Sequence, residues 1–256
     1  MERLVYNLGM ATQEAFTYKY PRRRVIRRIL QWTTHKLLAL LSDLRVLNHH
    51  NFPDRGPLLV IANHFSFIDP VAVLSVAPCP IEFVGGFQVP NAPASVGWLR
   101  KLWGYYPVYR GTGSQIAFRA AQAIMDQDGV LAIFPEGSSA YDVLREPRLG
   151  AAFMAARSRA RILPIGLDGF TGIFPSLRRG TRATVTVNIG EPFGPFSTTG
   201  RGRARRQQLE DIGHIMMKKV AALIPPERRG YYSSDPSLVE AAQALETYPW
   251  DQKPEG

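Results

Sequence analysis

The sequence predicts an α/β fold, with a largely parallel mixed sheet flanked by helices. Short apolar runs alternate with helical segments between residues 57 and 223, as in chains whose strands are joined by crossover helices. The runs at 57–62, 130–134 and 162–167 are almost continuously apolar, which is typical of strands buried on both faces. A chain of 256 residues with 45% hydrophobic residues is also long enough for one sizeable core.

The predicted elements follow one another in a regular order. Strands are predicted at 57–62, 81–84, 130–134, 162–167 and 183–189. Helices are predicted at 68–77, 114–125, 150–160 and 205–223. In such a sheet, chemistry collects on the loops that follow the carboxyl ends of the parallel strands. The segments directly after the strands are therefore the first candidates for a functional site.

Residues 22–47 are predicted to form an amphipathic helix with a basic end. Apolar residues recur there at three- and four-residue spacing, and four arginines cluster at its start: Arg23, Arg24, Arg27 and Arg28. Such a helix can lie in a membrane interface, with its arginines on lipid phosphates. Alternatively, it can pack its apolar face on the core and leave its polar face in solvent. With no apolar run of 18 or more residues, no ordinary membrane-spanning helix is expected.

Charge and cysteine content narrow the class of protein. The chain has 31 Lys and Arg against 21 Asp and Glu, for a net charge of +10, which favours an anionic partner such as acidic lipid, nucleic acid or a phosphorylated substrate. A single cysteine, Cys79, excludes an intramolecular disulfide, a multi-cysteine zinc site and a CxxC redox pair.

We predict three parts: a basic membrane-interface segment at 1–50, the α/β domain at 51–225 and a polar C-terminal tail at 226–256.

The loop after the first strand of the α/β domain reads Asn-His-Phe-Ser-Phe-Ile-Asp, with His64 and Asp69 five residues apart. A histidine titrates near neutral pH and can act as a general base. A carboxylate at this spacing can accept a hydrogen bond from the other ring nitrogen and stabilise the imidazolium. The alternative for this motif alone is a surface histidine followed by a capping aspartate.

The loop after the third strand reads Phe-Pro-Glu-Gly-Ser-Ser over residues 134–139. The turn holds Glu136 at the mouth of the crevice, Gly137 allows close approach of a ligand, and Ser138 and Ser139 offer hydroxyl donors. Taken alone, this segment is equally a turn with a solvated glutamate. Both motifs in this order arise by chance in only about one chain in ten thousand.

Together the two motifs resemble the glycerolipid acyltransferase family, which includes the 1-acylglycerol-3-phosphate acyltransferases and carries NHxxxxD and FPEG signatures. Three further blocks look similar to that family, at 107–111, 162–166 and 189–192. The first of them contains Arg110 and lies between the two signatures. The resemblance covers roughly residues 35–225 and implies a fold like that of glycerol-3-phosphate acyltransferase.

The resemblance implies transfer of a fatty acyl group from acyl-CoA or acyl carrier protein to a lyso-lipid hydroxyl, without an acyl-enzyme. His64 would be the base and Asp69 its orienting partner, whereas Arg110 would bind an acceptor phosphate. Glu136, Gly137 and Ser138 would complete the acceptor site. No metal and no cofactor other than the donor is implied. The expected location is the cytoplasmic face of the cell membrane, as a peripheral or monotopic protein.

One position departs from the family pattern. Many members continue FPEG with Thr or Ser and then Arg, and that arginine helps to hold the acceptor phosphate, whereas this chain has Ser139 there. One hypothesis is that another arginine takes the role: Arg145, Arg148 or one within 178–182. The other is that the acceptor is a different lyso-lipid or hydroxylated lipid.

Other classes of function fit the sequence less well. The segment Gly137–Tyr141 lacks the second glycine of a GxSxG serine hydrolase, and Ile116 stands where a GxGxxG dinucleotide motif needs glycine. Nucleic-acid binding is the alternative from another class, because the basic charge is compatible with a phosphate-tracking surface. It does not account for the two signatures, so no nucleic-acid partner is expected.

Overall fold

The computed structural model describes residues 18–21, 23–86, 103, 106–108, 115–137 and 141–244. Within these ranges seven strands form one sheet: β1 (Ser42–Leu47), β2 (Leu58–Ala62), β3 (Glu82–Gly86), β4 (Tyr106–Val108), β5 (Val130–Ile133), β6 (Arg161–Asp168) and β7 (Ala183–Ile189). The helices in the same ranges are α1 (Arg24–Leu41), α2 (Asp69–Val76), α3 (Gln115–Met125), α4 (Leu149–Ser158), α5 (Ile173–Arg178), α6 (Gly202–Ala221) and α7 (Pro236–Ala244).

The sheet order is β1-β7-β6-β2-β5-β3-β4. Strands β6, β2, β5, β3 and β4 are parallel to one another, with Leu58 of β2 opposite Val130 of β5 and Arg161 of β6. Strand β7 runs antiparallel to β6, and β1 is parallel to β7. The predicted fold class, a largely parallel mixed sheet flanked by helices, is therefore confirmed. The carboxyl ends of β2, β5 and β6 meet at one edge of this sheet.

Helices cover both faces of the sheet and create two apolar layers. Leu59 and Ile61 of β2 face the layer formed with α3, α4 and α6. Leu58 and Val60 face the opposite layer, formed with α1, α2 and α5. The alternation along β2 explains its continuous apolar sequence, because each face of the strand meets a different helical layer. We call the layer with α3, α4 and α6 the α6 layer, and the layer with α1, α2 and α5 the α1 layer.

The N-terminal helix departs from the prediction in its length and in the surroundings of its arginines. It ends at Leu41, and Leu44, which was expected on its apolar face, belongs to strand β1. The predicted boundary at residue 50 thus falls after a strand that pairs with β7 inside the sheet. The predicted arginine cluster is also divided, because Arg27 is completely buried whereas Arg24 and Arg28 are exposed.

The buried side of α1 combines apolar packing, with Leu38 in the core and Leu30 and Leu41 against it, with polar contacts. Arg27 forms a buried ion pair with Glu82 of β3, and Gln31 Nε2 donates to the Cys79 carbonyl at 2.9 Å. In contrast, Val25, Trp32 and Leu40 are 73%, 65% and 71% exposed. The predicted apolar face is thus divided: Leu30 and Leu41 pack against the core, whereas most of its other large side chains are exposed. Among the described residues, no helix combines the length and apolarity needed to cross a bilayer.

The segment after α6 packs back on strand β6 of the sheet. Gly166 of β6 allows this approach, because a Cβ there would lie 2.6 Å from Leu223 Cβ and 2.7 Å from the Leu223 carbonyl oxygen. Further along, the Tyr231 N–H donates to the Leu144 carbonyl at 2.9 Å. The part of the predicted tail up to residue 244 is thus attached to the domain, and residues 245–256 lie outside the described ranges.

Candidate active site

The end of β2 is fixed to the end of β6 by Asn63, which is completely buried. Its Nδ2 donates to the Leu167 carbonyl and its Oδ1 accepts the Leu167 N–H, both at 2.8 Å. An amide side chain with one donor and one acceptor can replace a pair of ladder hydrogen bonds in this way. Asn63 therefore holds the start of the His64 loop in one position at the sheet edge.

The structure brings His64 and Asp69 together as the sequence predicts. His64 Nδ1 lies 3.1 Å from Asp69 Oδ2, and the same oxygen accepts the Ser66 N–H at 2.6 Å. Burial raises the pKa of Asp69 above its ordinary value, whereas the hydrogen bonds from His64 and the loop N–H groups favour its charged form. Because Asp69 engages Nδ1, Nε2 is the ring nitrogen that is available for proton transfer.

The FPEG turn contributes a ring that packs on this histidine. The Phe134 ring stacks on the His64 imidazole, with 4.2 Å between centroids and 24° between planes. The turn itself is formed with Gly137 at φ 74°, a conformation that favours glycine. The Arg148 N–H donates to the Pro135 carbonyl at 2.8 Å and fixes the turn to the start of α4.

Glu136 connects the two motifs from inside the protein. Its Oε1 accepts the His64 N–H at 2.9 Å and its Oε2 accepts the Arg145 N–H at 3.2 Å. Burial raises the pKa of Glu136 to about 8, against the opposing effect of these donors and of the Arg145 charge. The Glu136 side chain is only 1% exposed. Its contact with the site is therefore the hydrogen bond from the His64 N–H, which positions His64. This geometry differs from the direct acceptor contact that the resemblance implies.

The other site residues predicted from the sequence are only partly located. Arg110 and Ser138, together with Ser139, lie outside the described residues. Gly137 lies in the turn beside Arg148, whose Cγ would be 3.4 Å from a Cβ at that glycine. In the described parts of the chain, no group of three or more His, Cys, Asp or Glu residues is arranged to hold a metal ion. The expectation of no metal and no cofactor stays a prediction.

The arginines considered as substitutes at the phosphate site have different environments. Arg145 is buried, with its guanidinium 4.7 Å from the centroid of the Tyr141 ring. Arg182 donates to the Ala39 and Ser42 carbonyls at the end of α1. Arg148 is exposed and lies next to the FPEG turn. Among these three, Arg148 is the best placed to meet an anionic substrate at the turn.

Sequence reasoning missed two residues of the site, Asn63 and Phe134. Both belong to the quoted motifs, so a signal was present, but each contacts a residue that is distant in sequence. Asn63 bonds Leu167, 104 residues further on, and Phe134 contacts the His64 ring through the pairing of β2 with β5. Local spacing carries no information on such contacts.

The edge of this sheet, with a His–Asp pair beside a Pro-Glu-Gly turn, defines an α/β protein of the acyltransferase class. Residues 43–168 match the family model described as Acyltransferase. This match covers just under half of the chain, and it confirms the resemblance found in the sequence.

Two relatives and one solved structure are similar to this chain. The 1-acyl-sn-glycerol-3-phosphate acyltransferase alpha proteins of Ovis aries and Homo sapiens are each 26% identical over 160 residues, which cover 58% of this chain and 53% and 54% of theirs. The chain thus spans about half the length of these relatives. The crystal structure of the 1-acyl-sn-glycerophosphate (LPA) acyltransferase PlsC from Thermotoga maritima has a similar fold, with a TM-score of 0.53 and 19% identity over 83% of this chain and 85% of that one.

Proposed function

We propose that the protein transfers a fatty acyl group from an acyl thioester to the free hydroxyl of a lyso-lipid. The observation that carries this proposal is the His64–Asp69 pair, 3.1 Å apart and held against the FPEG turn by Glu136. A base with an orienting carboxylate suits deprotonation of a hydroxyl. The Acyltransferase match supports acyl transfer, and the names of the relatives, 1-acyl-sn-glycerol-3-phosphate acyltransferases, support an acceptor of the glycerolipid type.

In the proposed reaction the acceptor hydroxyl is the nucleophile. His64 Nε2 accepts its proton, the oxygen attacks the thioester carbonyl carbon, and a C–O bond forms. The tetrahedral intermediate then collapses with cleavage of the C–S bond, and the leaving thiolate takes the proton from the imidazolium. Asp69, which binds Nδ1, stabilises the imidazolium between these two steps. No acyl-enzyme forms on this route.

The acceptor we favour is 1-acylglycerol-3-phosphate, with phosphatidic acid as the product. Arg148, beside Gly137, supplies a charge for the acceptor phosphate at the FPEG turn, and Arg110 is proposed as a second phosphate ligand.

On the α1 layer, the Phe67 ring of the His64 loop stacks on Phe174 of α5 at 5.9 Å. Phe174 is 46% exposed, so this pair offers an apolar surface to a lipid chain near the base.

The acceptor proposal predicts that Arg148→Ala raises the KM for lysophosphatidic acid by about tenfold or more, because a charged hydrogen bond is lost. The KM for phosphate-free monoacylglycerol should stay unchanged. Acyl transfer to each acceptor in mixed micelles measures both values. Arg157→Ala, on the last turn of the same helix, is the matched control. A wild type that prefers monoacylglycerol, with Ser139→Arg shifting it to lysophosphatidic acid, would instead support a changed acceptor site.

We also propose that the exposed face of α1 binds the membrane surface peripherally, at the cytoplasmic face. Six large apolar side chains of this helix are exposed: Val25, Ile26, Ile29, Trp32, Leu37 and Leu40. Exposed basic residues accompany them, namely Arg24, Arg28 and Lys36. An exposed apolar stripe with cationic neighbours suits an interface of acidic lipids, where apolar burial and phosphate contacts both contribute.

The membrane proposal predicts that the protein sediments with anionic vesicles and that high salt releases part of it. Ile29→Ser with Trp32→Ser should weaken vesicle binding by tenfold or more, since each buried large side chain contributes about 1.5–3 kcal/mol. Ile215→Ala, at an exposed position in the α6 layer, should bind as the wild type does. Equal binding to neutral and anionic vesicles at every salt concentration would contradict the electrostatic part of the proposal.

A further inference from the structure

A groove of about 610 Å³ lies outside the catalytic loops, between the C-terminal half of α6 and the segment that follows it. Its polar and aromatic lining comes from both elements: His214, Lys218, Arg229, Tyr231, Tyr232 and Ser233. Lys218 lies one turn after His214 on α6, so both side chains project from the same face of the helix. The mechanism proposed above uses none of these residues.

Contacts within the groove hold its rings and one of its cations in place. His214 Nδ1 lies 2.9 Å from the Tyr232 hydroxyl, and the Tyr231 ring stacks on His214 at 5.8 Å with 22° between planes. Burial raises the pKa of Tyr232, so its hydroxyl keeps its proton. Arg229 Nε donates to the Ile224 carbonyl at 3.3 Å. Two cations beside flat aromatic faces suit a ligand that has phosphate groups and a planar ring.

The groove is connected to the catalytic loops through one short segment of chain. Tyr231, in the groove wall, donates its N–H to the Leu144 carbonyl at 2.9 Å. The next residue, Arg145, donates its N–H to Glu136, which in turn accepts the His64 N–H. A ligand in the groove therefore lies near the same sheet edge as the base. A donor with a long flexible arm can bind there at one end and present its other end to His64.

The position of the groove favours a water-soluble ligand over a lipid. Helix α6 packs its buried face on the α6 layer, whereas α1 belongs to the opposite layer of the sheet. If the exposed face of α1 lies on the membrane, the groove is on the aqueous side of the domain. We propose that the groove binds the phosphorylated adenosine end of an acyl-CoA donor, an inference that rests on the proposed acyltransferase function.

The test compares Lys218→Glu with the control Lys219→Glu, which makes the same charge change on the next residue of α6. Lys219 lies over the Phe193 ring at 5.8 Å and does not line the groove. Lys218→Glu should raise the KM for acyl-CoA by about tenfold, because a cation–phosphate contact is replaced by repulsion. The KM for an acyl-pantetheine thioester, which lacks the nucleotide, should be unchanged, as should the KM for the lyso-lipid.

Calorimetry with coenzyme A alone separates this inference from the proposed function. Binding that is weakened by Lys218→Glu and kept in Lys219→Glu supports the groove even if no acyl transfer is detected. Equal effects of the two substitutions, or none, would overturn it. The inference would also be overturned if Lys218→Glu raised the KM for the lyso-lipid instead. It would be overturned likewise if only acyl carrier protein served as donor and Lys218→Glu raised the KM for that carrier.

Discussion

Replacing His64 with alanine should lower the rate of acyl transfer by about a thousandfold or more, the range by which a positioned general base contributes. The side chain is only 14% exposed and packs on Phe134, but it belongs to a loop whose backbone is held independently. Glu136 accepts the His64 N–H, and Asn63 bonds Leu167. Neither contact uses the imidazole, so the fold should survive the substitution.

Asp69→Asn should cost about a hundredfold in kcat, with little change in the KM for either substrate. The amide can still accept the Ser66 N–H, but it no longer stabilises an imidazolium at His64. Steady-state kinetics with thermal unfolding of each variant measures both effects. His50→Ala, in the exposed turn before β2, is the control. If His64→Ala keeps more than a tenth of the wild-type rate, the proposed mechanism is wrong.

The buried half of the fold was predictable from the sequence, and its edges were not. Strands β2, β5 and β6 are buried on both faces, so their apolar runs stand out. Strand β1 lies at the edge of the sheet, with Asp43, Arg45 and Leu47 exposed. Its apolar residues, Leu44 and Val46, continue the spacing of the preceding helix closely enough to be read as another turn. Short runs of this kind do not distinguish a strand from a helix.

The candidate site shows the same division between local and distant contacts. His64 and Asp69 are five residues apart, so their spacing already indicates a pair, and the structure places them 3.1 Å apart. The resemblance implied that Glu136 contacts the acceptor, and the motif taken alone was equally a turn with a solvated glutamate. Its two oxygens instead accept N–H groups from positions 72 and 9 residues away. Those contacts depend on the strand order, which the sequence does not display.

The orientation of α1 was also unpredictable, because its periodicity shows an apolar face but not which face packs inward. The deciding contact is Arg27, which meets Glu82, 55 residues further along the chain. Arg27 Nη2 donates to Glu82 Oε2 at 2.9 Å and to the Trp103 carbonyl at 2.8 Å. The guanidinium also lies 4.8 Å from the Trp103 ring centroid. The buried side of α1 thus contains this ion pair beside apolar residues such as Leu38, while other apolar residues of the helix stay exposed.

Replacing Arg27 with alanine should therefore destabilise the protein by about 3–5 kcal/mol, because it leaves the Glu82 carboxylate buried without its cation. Arg28→Ala, at the exposed neighbouring position, should change the free energy of unfolding by less than about 0.5 kcal/mol. Urea unfolding of both variants measures the difference, with the slope of the transition checked for two-state behaviour.

The double variant Arg27→Met with Glu82→Leu distinguishes the ion pair from simple loss of packing. Removing both charges together avoids an uncompensated buried carboxylate, so this variant should recover most of the stability that Arg27→Ala loses. Equal losses in Arg27→Ala, Arg28→Ala and the double variant would contradict the role of the pair. The Arg27–Glu82 contact ties α1 to β3. Loss of vesicle binding in Arg27→Ala alone, restored in the double variant, would therefore connect the buried pair to the proposed membrane-facing orientation of the helix.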